Sequence, residues 1–151
     1  MSFRNVAIIG LGLLGGSIGL AVREYLPDVR TTGYDADPAT RERARERGLA
    51  NSIADNAADA VADADLVIFC VPVGAMADAA AAVADALPAH ALVSDVGSSK
   101  QTVARALAQA LPRHAVIPAH PVAGTERSGP DAGFASLFRK RWCIITPPAD
   151  S

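Results

Sequence analysis

Val6-Ala-Ile-Ile-Gly-Leu-Gly-Leu-Leu-Gly-Gly-Ser17, close to the N-terminus, governs how the rest of the chain is read. Four apolar residues run into Gly10, Gly12 and Gly15, and a helical pattern opens directly after them. The order is strand, tight turn, helix. Gly10 permits the turn, Gly12 lets a dinucleotide pyrophosphate approach the main chain, and Gly15 lets helix and strand pack closely. The helix start, Leu13 and Leu14, adds unpaired N–H groups and a partial positive charge to such an anion site. The next strand-like run, Arg30-Thr-Thr-Gly-Tyr-Asp35, ends in an acid about 20 residues beyond Gly15. A carboxylate there accepts the ribose hydroxyls of NAD and repels the 2′-phosphate of NADP, and Ala36, Asp37 and Pro38 bring no arginine directly after it. The cofactor expected is NAD.

The uncharged stretch from Val6 to Val22, preceded by Arg4, superficially resembles a secretory signal. Its glycines at 10, 12, 15, 16 and 19 and the lack of a small-x-small cleavage site argue instead for a buried strand plus a close-packed helix. It is also short for a membrane span and rich in residues that weaken helices. A cytoplasmic protein without a membrane partner is expected. At 151 residues, 50% hydrophobic and 20% charged, the chain has the length and composition of one globular domain. A net charge of −2, with no basic stripe, makes nucleic acid a poor partner. Cys70 and Cys143 lie inside apolar runs and read as buried thiols, not as a metal site.

Short apolar runs alternate with helical patterns along the whole chain. Strands are expected over Asn5–Gly10, Arg30–Tyr34, Asn51–Ile53, Leu66–Val71, Ala91–Val96, Ala115–Pro118 and Trp142–Thr146. Helices are expected over Leu14–Tyr25, Pro38–Arg47, Ala75–Leu87 and Ser99–Leu111. Pro38 opens the second helix and Gly48 stops it. This alternation predicts an α/β fold: a doubly wound, mostly parallel, Rossmann-like sheet of order 3-2-1-4-5-6, with ligand at its carboxyl edge. Val71 and Pro72, ending the fourth strand, then join Gly10, Gly12, Leu13, Leu14, Gly15 and Asp35 as candidate cofactor contacts. The alanine-rich stretch between Ala57 and Ala86 reads as helix-forming filler of low functional content. The loop from Ala119 to Arg141 is long and glycine-bearing, as functional loops and interfaces are.

Two more clusters fall at strand ends: Asp95-Val-Gly-Ser-Ser-Lys100 and His120-Pro-Val-Ala-Gly-Thr-Glu-Arg-Ser-Gly129. Together with Gly10-Leu-Gly-Leu-Leu-Gly-Gly-Ser17 they resemble the prephenate/arogenate dehydrogenase family of tyrosine biosynthesis. That family carries G-L-G-L-I-G-G-S, D-x-G-S-x-K and H-P-x-x-G-T-E-x-S-G in this order. The resemblance runs through Cys143-Ile-Ile-Thr-Pro147 and covers the nucleotide-binding half of the family. It implies oxidative decarboxylation of prephenate or arogenate. NAD takes hydride from the ring carbon bearing the hydroxyl, and loss of the ring carboxylate as CO₂ aromatises the product. By motif matching, His120 takes the hydroxyl proton, as a neutral imidazole can at physiological pH. Ser98 helps hold histidine, hydroxyl and nicotinamide together and also touches the cofactor, while Thr125, Glu126 and Ser128 lie near the substrate mouth.

The residues also admit plainer readings. Ser98 suits a helix N-cap, Asp95 a strand terminus, Lys100 a solvated first turn, and His90 and His114 the surface. Family members continue into a helical domain that supplies dimerisation and part of the substrate pocket. Residues 1–151 are thus expected to be the dinucleotide-binding domain of a homodimer, weakly active or inactive alone and with an apolar patch exposed. Two other readings stand beside this one: the nucleotide domain of a β-hydroxyacid-type dehydrogenase, and a non-enzymatic NAD-sensing module. The His120 segment argues against both.

Overall fold

Six parallel strands form the central sheet of the computed structural model, which describes residues 2–97, 100–125 and 127–145. They are β1 (Asn5–Ile9), β2 (Arg30–Tyr34), β3 (Ser52–Ile53), β4 (Leu66–Phe69), β5 (Leu92–Asp95) and β6 (Val116–Ile117), in the spatial order β3-β2-β1-β4-β5-β6. This is the expected doubly wound order. The chain reverses direction across the sheet between β1 and β4, and Val6 pairs with both Thr31 and Leu66 there.

Side chains alternate across the strands because the strand period is two. Ala7, Ile9, Val67, Phe69 and Val93 face one way and pack with Val61, Met76, Val83, Val103 and Leu107. Val6 and Ile8 face the other way with Leu11, Ala44 and Leu49. Both faces are therefore apolar, and the central β1 and β4 read as nearly continuous apolar runs. Phe69 and Ile8 have no exposed surface, and each such side chain contributes about 1.5–3 kcal/mol of burial.

The helices obey local signals. In α1 (Leu13–Tyr25) the buried residues are Gly15, Gly16, Ser17 and Gly19, so the helix lies against the sheet backbone. A Cβ at Gly15 would overlap the Gly10 carbonyl oxygen, and one at Gly19 the Leu49 carbonyl oxygen. Asp37 caps α2 (Pro38–Arg47) by accepting from the Ala39 N–H, and Gly48 ends it at φ 64°. Helix α3 (Ala57–Val61) was not expected. Its signal is Asn56, which accepts from the Asp59 N–H at 2.8 Å while its amide donates back to the Asp59 carboxylate. A 3-10 turn over Val73–Ala75 leads into α4 (Met76–Val83), and α5 spans Lys100–Ala110.

The end of the chain differs from expectation. The strand predicted over Trp142–Thr146 is β8 (Cys143–Ile145), and it does not join the parallel sheet. It pairs antiparallel with β7 (Ala119–Pro121), a strand that had been read as the start of a loop. Cys143 is consequently exposed rather than buried. No described element covers β8, whose three residues are all exposed beside Trp142, itself 83% exposed. The segment between β7 and β8 folds back on the first two helices. Ser17 Oγ accepts from the Phe134 N–H at 3.0 Å, Arg47 donates to the Pro130 and Gly133 carbonyls, and Arg43 pairs with Asp131. No described helix is long and apolar enough to cross a membrane.

Candidate functional site

The carboxyl ends of β1, β2, β4 and β5 open into a groove of about 760 Å³, a size that suits a cofactor. Gly10, Gly12, Leu13, Leu14, Asp35, Val71, Pro72 and Ser128 line it. Gly15 sits behind the wall, where its lack of a side chain admits Gly10 and Cys70. Gly10 has φ 102°, and its N–H donates to the Tyr34 carbonyl at 2.8 Å, which anchors the turn to β2. A Cβ on Gly12 would meet no protein atom within 4 Å, so the main chain there is open to the groove. Gly12 is also the N-cap of α1, and no side chain caps that end. Its first-turn N–H groups thus form an anion site built from backbone alone.

Asp35 is fixed by the main chain around it. One carboxylate oxygen accepts from the Leu11 N–H at 2.9 Å and the other from the Asp37 N–H at 3.0 Å. Each oxygen keeps a lone pair for a further donor, such as a ribose hydroxyl. The structure also brings in Arg41, which sequence distance had hidden. Its guanidinium donates to the Asp35 carbonyl at 2.9 Å and to the Ala36 carbonyl at 3.3 Å, and stands 5.6 Å over the Tyr34 ring.

His120 lies on β7, half-buried, with Nδ1 3.5 Å from the Val96 carbonyl oxygen. A carbonyl only accepts, so a neutral ring in this setting carries its proton on Nδ1 and leaves the Nε2 lone pair to accept one. His120 does not line the groove, but Val96 does, so the imidazole stands one residue from it. Val96 also borders a second, apolar cavity of about 370 Å³ beneath Phe138 and Trp142. Thr125 is exposed, and its hydroxyl accepts from the Arg127 N–H at 3.2 Å, away from the groove lining. Ser98 and Glu126 fall outside the described residues.

Cys70 lines the groove as a neutral thiol. Burial, with the Asp95 carboxylate second, pushes its ionisation far above the ordinary thiol range. Among the described residues no three His, Cys, Asp or Glu side chains gather as a metal site. Ala57, Ala75, Asp78, Ala79 and Ala82 also line the groove, so the alanine-rich stretch is not mere filler. Ala75, Ala79 and Ala82 recur at helical spacing, and small side chains on that face leave the groove wide. His114 is half-buried, not on the surface, with Nε2 3.0 Å from the Pro88 carbonyl oxygen.

Residues 18–151 match the family described as prephenate dehydrogenase, nucleotide-binding domain. Cyclohexadienyl dehydrogenase of Zymomonas mobilis is 48% identical over 147 residues, which cover 97% of this chain and 50% of that protein. The crystal structure of prephenate dehydrogenase from A. aeolicus, in complex with hydroxyphenyl propionate and NAD+, superposes with a TM-score of 0.88 at 28% identity, over 99% of this chain and 52% of that one. Synechocystis arogenate dehydrogenase gives 0.88 at 26% identity, over 97% and 51%. The chain spans about half the length of these relatives. The three sequence motifs, the sheet order and the family match converge, and the chain belongs to the prephenate dehydrogenase family through its nucleotide-binding domain.

Proposed function

We propose that residues 1–151 are the dinucleotide-binding domain of an enzyme that oxidises and decarboxylates prephenate or arogenate with NAD. The observation that carries this is the Asp35 carboxylate, bonded to Leu11 inside the glycine-rich turn and open to the same groove. A turn that receives a pyrophosphate and an acid that receives a ribose are thereby locked at one spacing. The groove residues fit NAD: the helix start at Gly12 carries no side-chain cap, and among the described residues nothing lies within 4 Å of a Cβ built there.

When bound, NAD supplies the hydride acceptor. The Leu13 and Leu14 N–H groups hold the pyrophosphate, Asp35 accepts from the ribose hydroxyls, and Val71 and Pro72 border the cofactor. His120 accepts the substrate hydroxyl proton at Nε2, the nitrogen left free when Nδ1 faces Val96. By motif matching alone, Ser98 would hold the histidine, hydroxyl and nicotinamide in register, and Thr125, Glu126 and Ser128 would lie toward the substrate; of these Ser128 lines the groove. The relative solved with NAD+ and hydroxyphenyl propionate supports both the cofactor and an aromatic-acid product class. In this reading the full-length protein is a cytoplasmic homodimer, joined through the half that the relatives carry beyond this domain.

The test is turnover by the full-length protein, with prephenate and arogenate each offered with NAD and NADP. Reduced NAD should form with at least one of the two substrates. Tight NAD binding without turnover of either substrate contradicts the reading.

A further inference from the structure

Asp95 closes β5 and is buried to 1% exposure, a place where a carboxylate is costly unless it is hydrogen-bonded. One of its oxygens accepts from the Gly97 N–H at 2.7 Å, the other from the Ala119 N–H at 3.1 Å. The second bond is the informative one. β6 pairs with β5 as far as Ser94 opposite Ile117, and Pro118 follows. In an unbroken parallel ladder the next N–H would go to a backbone carbonyl of β5. Here the Ala119 N–H goes to the Asp95 side chain instead, and the chain leaves the sheet to begin β7. The residue after Ala119 is His120, whose Nδ1 faces the carbonyl of Val96, the residue after Asp95. One carboxylate therefore ties both strand ends between which the imidazole is held. The turn is packed tightly beside it as well: a Cβ on Gly97 would press to 2.9 Å from Val103 Cγ2 and 3.0 Å from the same carboxylate.

We propose that Asp95 is the positioning residue for His120, replacing a rung of the sheet so that the imidazole presents Nε2 beside the cofactor groove. The inference rests on the reading of His120 as proton acceptor. Hydrogen bonds from backbone N–H groups to a buried carboxylate are strong and directional, which suits a fixed spacer. Asp95→Asn keeps the volume and one acceptor oxygen but turns an amide toward a backbone donor, so the tie to Gly97 or the tie to Ala119 is lost.

The experiment has two arms. In the full-length protein, kcat and the NAD Kd are measured for Asp95→Asn, with Ser94→Ala as control, since the Ser94 hydroxyl donates to the Ile117 carbonyl and not toward His120. We expect kcat to fall about 10- to 100-fold with the NAD Kd within about threefold, the signature of a misplaced group. Ser94→Ala should change neither. In the second arm, imidazole nitrogen NMR without substrate follows the His120 tautomer. The single Nδ1–H form should give way to a mixture in Asp95→Asn and, by displacement of the same carboxylate, in Gly97→Ala. An unchanged tautomer in the folded variants overturns the proposal, as does a fall in kcat that merely tracks NAD affinity. The NMR arm needs no turnover, so failure of the wild-type protein on both substrates sinks the dehydrogenase reading while Asp95 is still judged by its effect on His120.

Discussion

The N–H of Leu11, in the middle of the glycine-rich turn, donates to the carboxylate of Asp35 at 2.9 Å. The residue we propose to select the ribose thus also fixes the loop proposed to receive the pyrophosphate. Asp35→Ala should weaken NAD binding about 10- to 100-fold, the worth of about 1.5–3 kcal/mol for hydrogen bonds to a charged group. It should also narrow the preference for NAD over NADP. Calorimetric titration of both cofactors into wild type and variant reads this. Equal or tighter NADP binding by the wild type contradicts it.

Two glycines three residues apart should behave oppositely. A methyl at Gly15 overlaps the Gly10 carbonyl, so Gly15→Ala should destabilise by at least about 1–3 kcal/mol. A methyl at Gly12 meets no described atom within 4 Å and enters only the groove. Gly12→Ala should therefore keep its Tm and lose NAD affinity. Thermal melts beside cofactor titration separate the two, and a normal Tm for Gly15→Ala would refute the packing argument.

The two thiols should label at very different rates. Cys143 is exposed, whereas Cys70 lies in the groove wall with its ionisation pushed far up. A thiol reagent at neutral pH should modify one cysteine quickly and the other slowly, because the thiolate is the reactive form. Bound NAD should slow Cys70 further. Equal rates would contradict the difference in exposure and ionisation, and no protection by NAD would place the cofactor elsewhere.

Asp65 joins β4 to the start of β1 by accepting from the N–H groups of Arg4 and Asn5 at 2.9 and 3.0 Å. These two bonds, Arg4 first, hold its carboxyl below the usual carboxylate range. A depressed folded-state value means that the stabilisation is complete above the unfolded pKa of about 4 and drains as pH falls through the folded one. Asp65→Asn should melt below the wild type at neutral pH and converge with it in acid. A gap that stays constant with pH would show that the charge contributes nothing.

The sheet order and the cofactor turn were legible because they rest on local signals: an apolar run, glycines at fixed spacing, an acid at the next strand end. Asp35 could be named as a candidate for that reason. Arg41 was not, because a helical turn brings it back to β2 from six positions away. β7 was missed because three residues beginning Ala119-His120-Pro121 have no periodicity, and they pair only with the distant β8. The exposure of Cys143 follows from the same pairing. Asp95 read as a mere strand end because its use lies in a bond to Ala119, 24 positions away. Asn56 and Asp59 did carry a readable cap signal for α3, hidden by the alanines around it.

In the proposed mechanism His120 takes a proton beside a cofactor it does not bind. Its most direct test is kcat against NAD Kd for His120→Asn in the full-length protein. kcat should fall on the order of 10²–10⁴, the usual worth of a positioned general base, with NAD affinity nearly unchanged. A variant that loses NAD binding yet keeps its rate at saturating cofactor would contradict it.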